Sequence, residues 1–76
     1  MEAWIEVSEG LYKFEDEDWA MYLSIDESGA MLKVYNGTTH ITTKNWGPGI
    51  VGRSSGSEWC MKQSCIILDA EKKKRG

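Results

Sequence analysis

The side chains in this sequence that could do chemistry on their own are one histidine, two cysteines and a run of four carboxylates. His40 stands between Thr39 and Ile41. To act as a general base, or to activate a nucleophile, it needs a Ser, Cys or carboxylate held against its ring. No recognised spacing supplies one, so His40 reads as a surface imidazole among threonines. Cys60 and Cys65 together with His40 provide only three soft ligands, at spacings that miss the usual zinc patterns. Glu15, Asp16, Glu17 and Asp18 lack the alternating ligands and the sixth-position glycine of a calcium loop. The sequence therefore implies no metal, no cofactor and no enzyme.

Two further stretches bear on ligands. Gly47-Pro48-Gly49-Ile50-Val51-Gly52 satisfies the letters of G-x-G-x-x-G, but a dinucleotide site needs a βαβ unit of about 30 residues around it, and none is patterned here. Directly after it, Arg53, Ser54 and Ser55, followed by Gly56 and Ser57, read either as an anion-binding loop or as a flexible connection. In the first reading backbone N–H groups and hydroxyls converge on a phosphate. Asn36-Gly37-Thr38 fits a glycosylation sequon and is read here as a turn.

The aromatic residues are the stronger signal. Trp4, Trp46 and Trp59, with Tyr12, Tyr22 and Tyr35, exceed what the core of a 76-residue chain can enclose, since each ring side chain buries about 150–250 Å². Some must reach the surface, where aromatic side chains anchor interfaces. Trp46, among glycines, is either such an anchor or a ring folded back over one end of the core.

These residues must be positioned by a sheet. In residues 19–25, 30–35 and 38–44 apolar side chains alternate with polar ones, the period of a strand with one buried face. Between these segments, Asp26-Glu27-Ser28-Gly29 and Asn36-Gly37 have hairpin-turn chemistry. Trp19, Met21, Leu23 and Ile25 share one face, as do Ala30, Leu32 and Val34, and these form the expected core. The opposite faces carry Ala20, Tyr22 and Ser24, then Met31, Lys33 and Tyr35. Upstream, Ala3, Ile5 and Val7 alternate as a first strand and residues 11–14 form a second. The carboxylates at 15–18 repel one another and are expected in an exposed turn.

Residues 58–69 read two ways. Cys65-Ile66-Ile67-Leu68 favours a strand that closes the sheet. Ser55-Gly56-Ser57-Glu58 matches a helix capping box, with Met61, Cys65 and Leu68 on one face and lysines at the end the dipole favours. The strand is preferred. The fold class is then all-β, a small antiparallel meander or partly closed barrel of five to seven strands. The alternative is a five-stranded antiparallel sheet plus a C-terminal helix. Residues 1–69 form one domain and 70–76 a basic tail.

Composition sets the function class. With 41% hydrophobic and 28% charged residues the chain is neither disordered nor membrane-like, and no apolar run approaches a membrane span. Two cysteines are too few for a disulfide framework, and no signal peptide is patterned, so an intracellular (cytoplasmic) protein with free thiols is expected. Nine of the twelve acids lie in residues 1–27 beside a single base, Lys13, while eight of the nine bases follow. The asymmetry suggests a charged partner or opposite charges on neighbouring strands.

The expectation is a small non-enzymatic protein-binding domain. It would dock Glu15, Asp16, Glu17, Asp18, Tyr22, Tyr35 and Trp46 on a larger, basic protein, as an inhibitor or regulator of a nucleic-acid-handling partner does; small proteins of viral or mobile-element type often work this way. The rival expectation is direct nucleic-acid or phosphate binding by Lys33, Lys44, Arg53, Lys62 and the basic tail, with Trp46 stacking on a base. A monomer and a homodimer paired through the Thr-rich strand are both compatible with the sequence.

Overall fold

The computed structural model describes residues 4–51 and 56–75. Five antiparallel strands follow one another in space as they do in sequence. They are β1 (Ile5–Ser8), β2 (Leu11–Asp16), β3 (Trp19–Asp26), β4 (Gly29–Asn36) and β5 (Thr39–Trp46). A short helix α1 (Pro48–Val51) and a twenty-residue helix α2 (Gly56–Arg75) complete the chain. The fold is thus the meander read from the alternation, in the form of a five-stranded sheet with a C-terminal helix. The sheet does not close into a barrel, and β1 and β5 are its edges.

Backbone geometry fixes the hairpins. Gly10 has φ +75°, and a Cβ there would lie 2.5 Å from the Ile25 carbonyl oxygen, while Ile25 N donates to Gly10 O at 2.7 Å. Gly29, at φ +134°, sits so close to the end of β5 that a Cβ would run into the Trp46 carbonyl oxygen. Only a glycine tolerates both demands. At the opposite end of the sheet Gly37 N donates to Asp18 O at 2.7 Å, which ties the β2–β3 turn to the β4–β5 turn.

The core lies between one sheet face and α2. Met21, Leu23, Leu32 and Val34 are fully buried, with Phe14 and Ala30 beside them, and Trp19 and Ile25 pack at the margin. From α2 come Cys60, Ser64 and Leu68, which with Gly56 make a buried row at i, i+4 spacing. That row is why 58–69 is a helix and not the strand preferred from sequence. Its small members let the helix backbone approach the sheet, and the positions midway between them, Glu58, Lys62 and Ile66, are exposed, whereas a strand would have turned them to the same face as the buried row. Ile66, the centre of the β-favourable stretch, is instead 60% exposed. The Ser64 hydroxyl, fully buried, donates to the Cys60 carbonyl at 2.7 Å and so enters the core satisfied.

Three other expectations change. Of the basic tail expected at 70–76, residues 70–75 are the last turns of α2. They are held there by an ion pair from Lys72 to Asp16 and by Glu71, which meets Lys74 at 3.1 Å and Arg75 at 3.8 Å. Cations at a helix C-terminus also complement its dipole. All four residues of β1 are exposed, Ile5 and Val7 by 62% and 56%, and the side chain that packs inward is that of Trp4, just before the strand, whose ring lies 5.4 Å from Phe14. Burying the larger ring decides the face of a four-residue edge strand whose pairing shifts between Glu6 and Ser8. The acidic turn is shorter than expected: Glu15 and Asp16 continue β2 opposite Ala20 and Trp19, and only Glu17 and Asp18 form the turn, with Glu17 at φ 57°. The Ser55 cap proposed for the helix lies outside the described residues, as do Ala3, Arg53 and Ser54.

Candidate recognition surface

Because α2 covers one face of the sheet, every outward position of β2–β5 is gathered on the other. The register shows which residues meet. Lys13, Tyr22, Lys33 and Thr43 lie on one rung across four strands, Glu15, Ala20, Tyr35 and His40 on the next, and Leu11, Ser24, Met31 and Asn45 on the third. Directly paired residues project to the same side of a sheet, so these twelve share a face. Ile5, paired with Lys13, extends it at the β1 edge.

The rings form a herringbone. Tyr22 and Tyr35 meet edge to face, with centroids 5.9 Å apart and planes at 82°, and Tyr35 meets His40 at 5.4 Å and 61°. His40 Nε2 shares a 2.7 Å hydrogen bond with Thr43 Oγ1. Lys13 places its ammonium 5.6 Å from the Tyr22 centroid and 3.6 Å from the Glu15 carboxylate. Lys33, on the Tyr22 rung and two residues from Tyr35, makes no ion pair among the described residues.

A hollow of about 620 Å³ opens here, floored by Ala20 and Ser24, walled by Tyr22, Tyr35 and Met31, and closed at one end by Gly37 and Thr38. A second, of about 450 Å³, shares Ser24 and Met31 with it and continues to Asp26, Asn45 and Gly47. The two make one trough along β3 and β4. Its ends are acidic: Glu17 and Asp18 occupy the β2–β3 turn, and Asp26 and Glu27 the β3–β4 turn. At Asp26 the Ser28 hydroxyl and backbone N–H donate to Oδ1 at 2.5 and 2.8 Å, holding the carboxyl below the usual carboxylate range.

The structure separates residues that the sequence grouped. Glu15, Tyr22 and Tyr35 share the open face, with Glu17 and Asp18 at its lip. Asp16 turns to the helix side and pairs with Lys72. Trp46 ends β5 opposite Ala30, on the covered side, with its ring 6.1 Å from Trp59 of α2. The bases scatter as well. Lys44 pairs in register with buried Leu32 and so projects from the helix-side face, Lys62 lies on α2, and Arg53 is outside the described residues. No single basic patch joins them to Trp46.

Leu11 and His40 complete the face and were not foreseen. The hairpin offset that brings Leu11 beside Ser24, and the register shift after Val34 that brings His40 beside Tyr35, are set by pairing and cannot be counted along one strand. On the covered side a shallow cleft of about 450 Å³ between Trp4, Met61 and Ile66 exposes part of Cys65. Both cysteines are free, and burial pushes both thiols above their ordinary range. Among the described residues no group of three or more His, Cys, Asp or Glu side chains is placed to hold a metal, and no helix is long and apolar enough to cross a membrane. No protein-family profile, curated protein or solved structure matches the chain.

Proposed function

We propose that this chain is a non-enzymatic protein-recognition domain that docks the uncovered face of its sheet on a larger partner. One observation carries the reading: a single helix covers one face, and the other is left with Tyr22, Tyr35, Leu11 and Met31 around an open hollow, with the His40 ring against Tyr35. Half-buried aromatic side chains on a rigid sheet lose little conformational entropy on binding and supply most of the energy of an interface. Glu15, Glu17 and Asp18 at one end of the face suit a partner with a basic rim. The concrete form of the function is inhibition of a nucleic-acid-handling protein, whose basic groove the acidic lip would occupy in competition with nucleic acid.

The test compares capture from a lysate by the wild-type chain with capture by Tyr22→Ala/Tyr35→Ala and by a Glu15→Ala/Glu17→Ala/Asp18→Ala variant. Both variants should lose the same basic protein, and an oligonucleotide should displace that protein from the wild type. Equal recovery by all three chains removes the reading.

A second reading has its own support. Lys13 and Lys33 flank Tyr22 on one rung, and bases stack on exposed rings of a sheet. Salt-dependent binding of single-stranded oligonucleotides, lost in Tyr22→Ala/Tyr35→Ala, would favour it over protein docking.

A further inference from the structure

The charges on the open face define what the partner presents. Of the three charged side chains on the ringed rungs, Lys13 and Glu15 neutralise one another at 3.6 Å, and Lys13 also covers one face of Tyr22. Lys33 alone remains unpaired among the described residues. It stands opposite Tyr22, two residues from Tyr35 and two from Met31, and is the one charged residue lining the larger hollow. A hollow of about 620 Å³ falls within the size range of small-ligand pockets, and its wall sets Tyr22, Tyr35, Leu11 and Met31 beside Ser24, Thr38 and Lys33.

The geometry points to the hollow as a subsite for a carboxylate carried next to a large apolar side chain, presented by an extended protein segment, with Lys33 as the counter-ion. The inference builds on the docking reading only in taking the occupant to be a protein.

Two alternative occupants fit less well. A nucleic-acid strand lying along the trough would bring a phosphate every few ångströms past the carboxylates at both ends, Glu17 and Asp18 at one, Asp26 and Glu27 at the other, so repulsion accumulates while one lysine is neutralised. A second copy of this chain offers no unpaired carboxylate on its ringed rungs, since Glu15 there already meets Lys13. A single carboxylate flanked by an apolar group takes the one available charge, at Lys33, without running past both acidic turns.

The probe is N-acetyl-L-phenylalanine, titrated into the isotope-labelled protein and followed by amide correlation spectra. Its uncharged counterpart N-acetyl-L-phenylalaninamide, inorganic phosphate and oligothymidylate are run beside it. The carboxylate should shift the amides of Ala20, Tyr22, Met31, Lys33 and Tyr35. The amide counterpart should bind roughly two- to fivefold more weakly, as expected for loss of one exposed ion pair. Lys33→Met should remove that difference. Lys44→Met, a neighbouring lysine on the other face, should leave it unchanged.

Equal binding of carboxylate and amide, or an advantage that survives in Lys33→Met, overturns the inference. Phosphate binding as tightly as the aromatic carboxylate shows that the apolar group contributes nothing and overturns it too. Oligothymidylate binding more tightly than the carboxylate, with a steep salt dependence, overturns it in favour of nucleic acid. Failure here with capture still abolished in Tyr22→Ala/Tyr35→Ala removes the carboxylate subsite and leaves the docking face. Success here with capture undiminished in that variant leaves the subsite and removes the docking face.

Discussion

Truncating Leu68 to alanine should cost about 3 kcal/mol, whereas the same change two residues earlier, at Ile66, should cost almost nothing. Leu68 is 3% exposed and ends the row of α2 side chains that reaches the sheet; Ile66 is 60% exposed on the same helix. Removing a buried leucine side chain loses its transfer energy and leaves a partly relaxed cavity, together about 2–5 kcal/mol. The Ile66 change gives up little buried area and gains a few tenths of a kcal/mol in helix propensity, so it should fall within about 0.5 kcal/mol of wild type. For a 76-residue domain, total stability is about 4–11 kcal/mol, so Leu68→Ala removes a large part of it.

The assay is guanidinium unfolding followed by indole emission. Trp59 on α2 and Trp46 on β5, with rings 6.1 Å apart, report directly on separation of helix and sheet. With a slope near 2 kcal/mol/M, the midpoint of Leu68→Ala should fall by roughly 1.5 M and that of Ile66→Ala should stay in place. Equal losses at the two positions, or a loss below about 1 kcal/mol at Leu68, would refute the placement of α2 and with it the claim that only one sheet face is covered.

Other consequences follow from single contacts. Gly29→Ala should destabilise by more than 2 kcal/mol, because the added Cβ meets the Trp46 carbonyl oxygen at a left-handed φ. Gly37→Ala, at φ +62° with open space around it, should cost only about 1–2 kcal/mol, and the same unfolding assay separates the two. The folded-state thiols of Cys60 and Cys65 are raised by burial, so the stability they contribute is present below the unfolded thiol range and is lost as pH rises beyond about 9. Unfolding free energies between pH 8 and 10 should therefore fall more steeply for wild type than for Cys60→Ala/Cys65→Ala, and parallel slopes would contradict this. Asp26 should titrate below the ordinary carboxylate range in a carbon-detected NMR titration and return toward it in Ser28→Ala; an unchanged titration in that variant would show that Ser28 is not the cause.

The meander was legible because each of its signals is local. Alternation from Trp19 to Val34 states which side chains turn inward, and the glycines at 29 and 37 mark where the chain reverses. The outward row of Ala20, Tyr22, Ser24, Met31, Lys33 and Tyr35 follows from the same period, so most of the candidate surface could be counted from the sequence. What could not be counted depends on partners far along the chain. Gly56, Cys60, Ser64 and Leu68 make only a thin apolar row, so the capping box and the lysines at 72–74 offered a helix as the alternative but did not outweigh the β-favourable Cys65-Ile66-Ile67-Leu68 until there was a sheet for the row to lie against. The acids at 15–18 look alike in sequence, yet Lys72 of α2 draws Asp16 to the covered side and leaves Glu15, Glu17 and Asp18 on or beside the open one. Trp46 could be read from sequence either as an exposed anchor or as a ring folded back on the core, and Trp59, far along the chain, is what it packs on. The alternation at Ala3, Ile5 and Val7 did not mark a buried face, since all four residues of β1 are exposed and the inward side chain is that of Trp4, just before the strand.

Two methionines on neighbouring strands test the central claim most directly. Met31 on β4 is 40% exposed on the bare face, and Met21 on β3 is fully buried beneath α2. Oxidation by dilute peroxide, read by peptide mass spectrometry, should convert Met31 to its sulfoxide at close to the rate of a free methionine while Met21 stays unmodified until the protein unfolds. Equal rates at the two positions, or faster reaction at Met21, would mean that the helix does not cover the face assigned to it, and the proposed docking surface would have no basis.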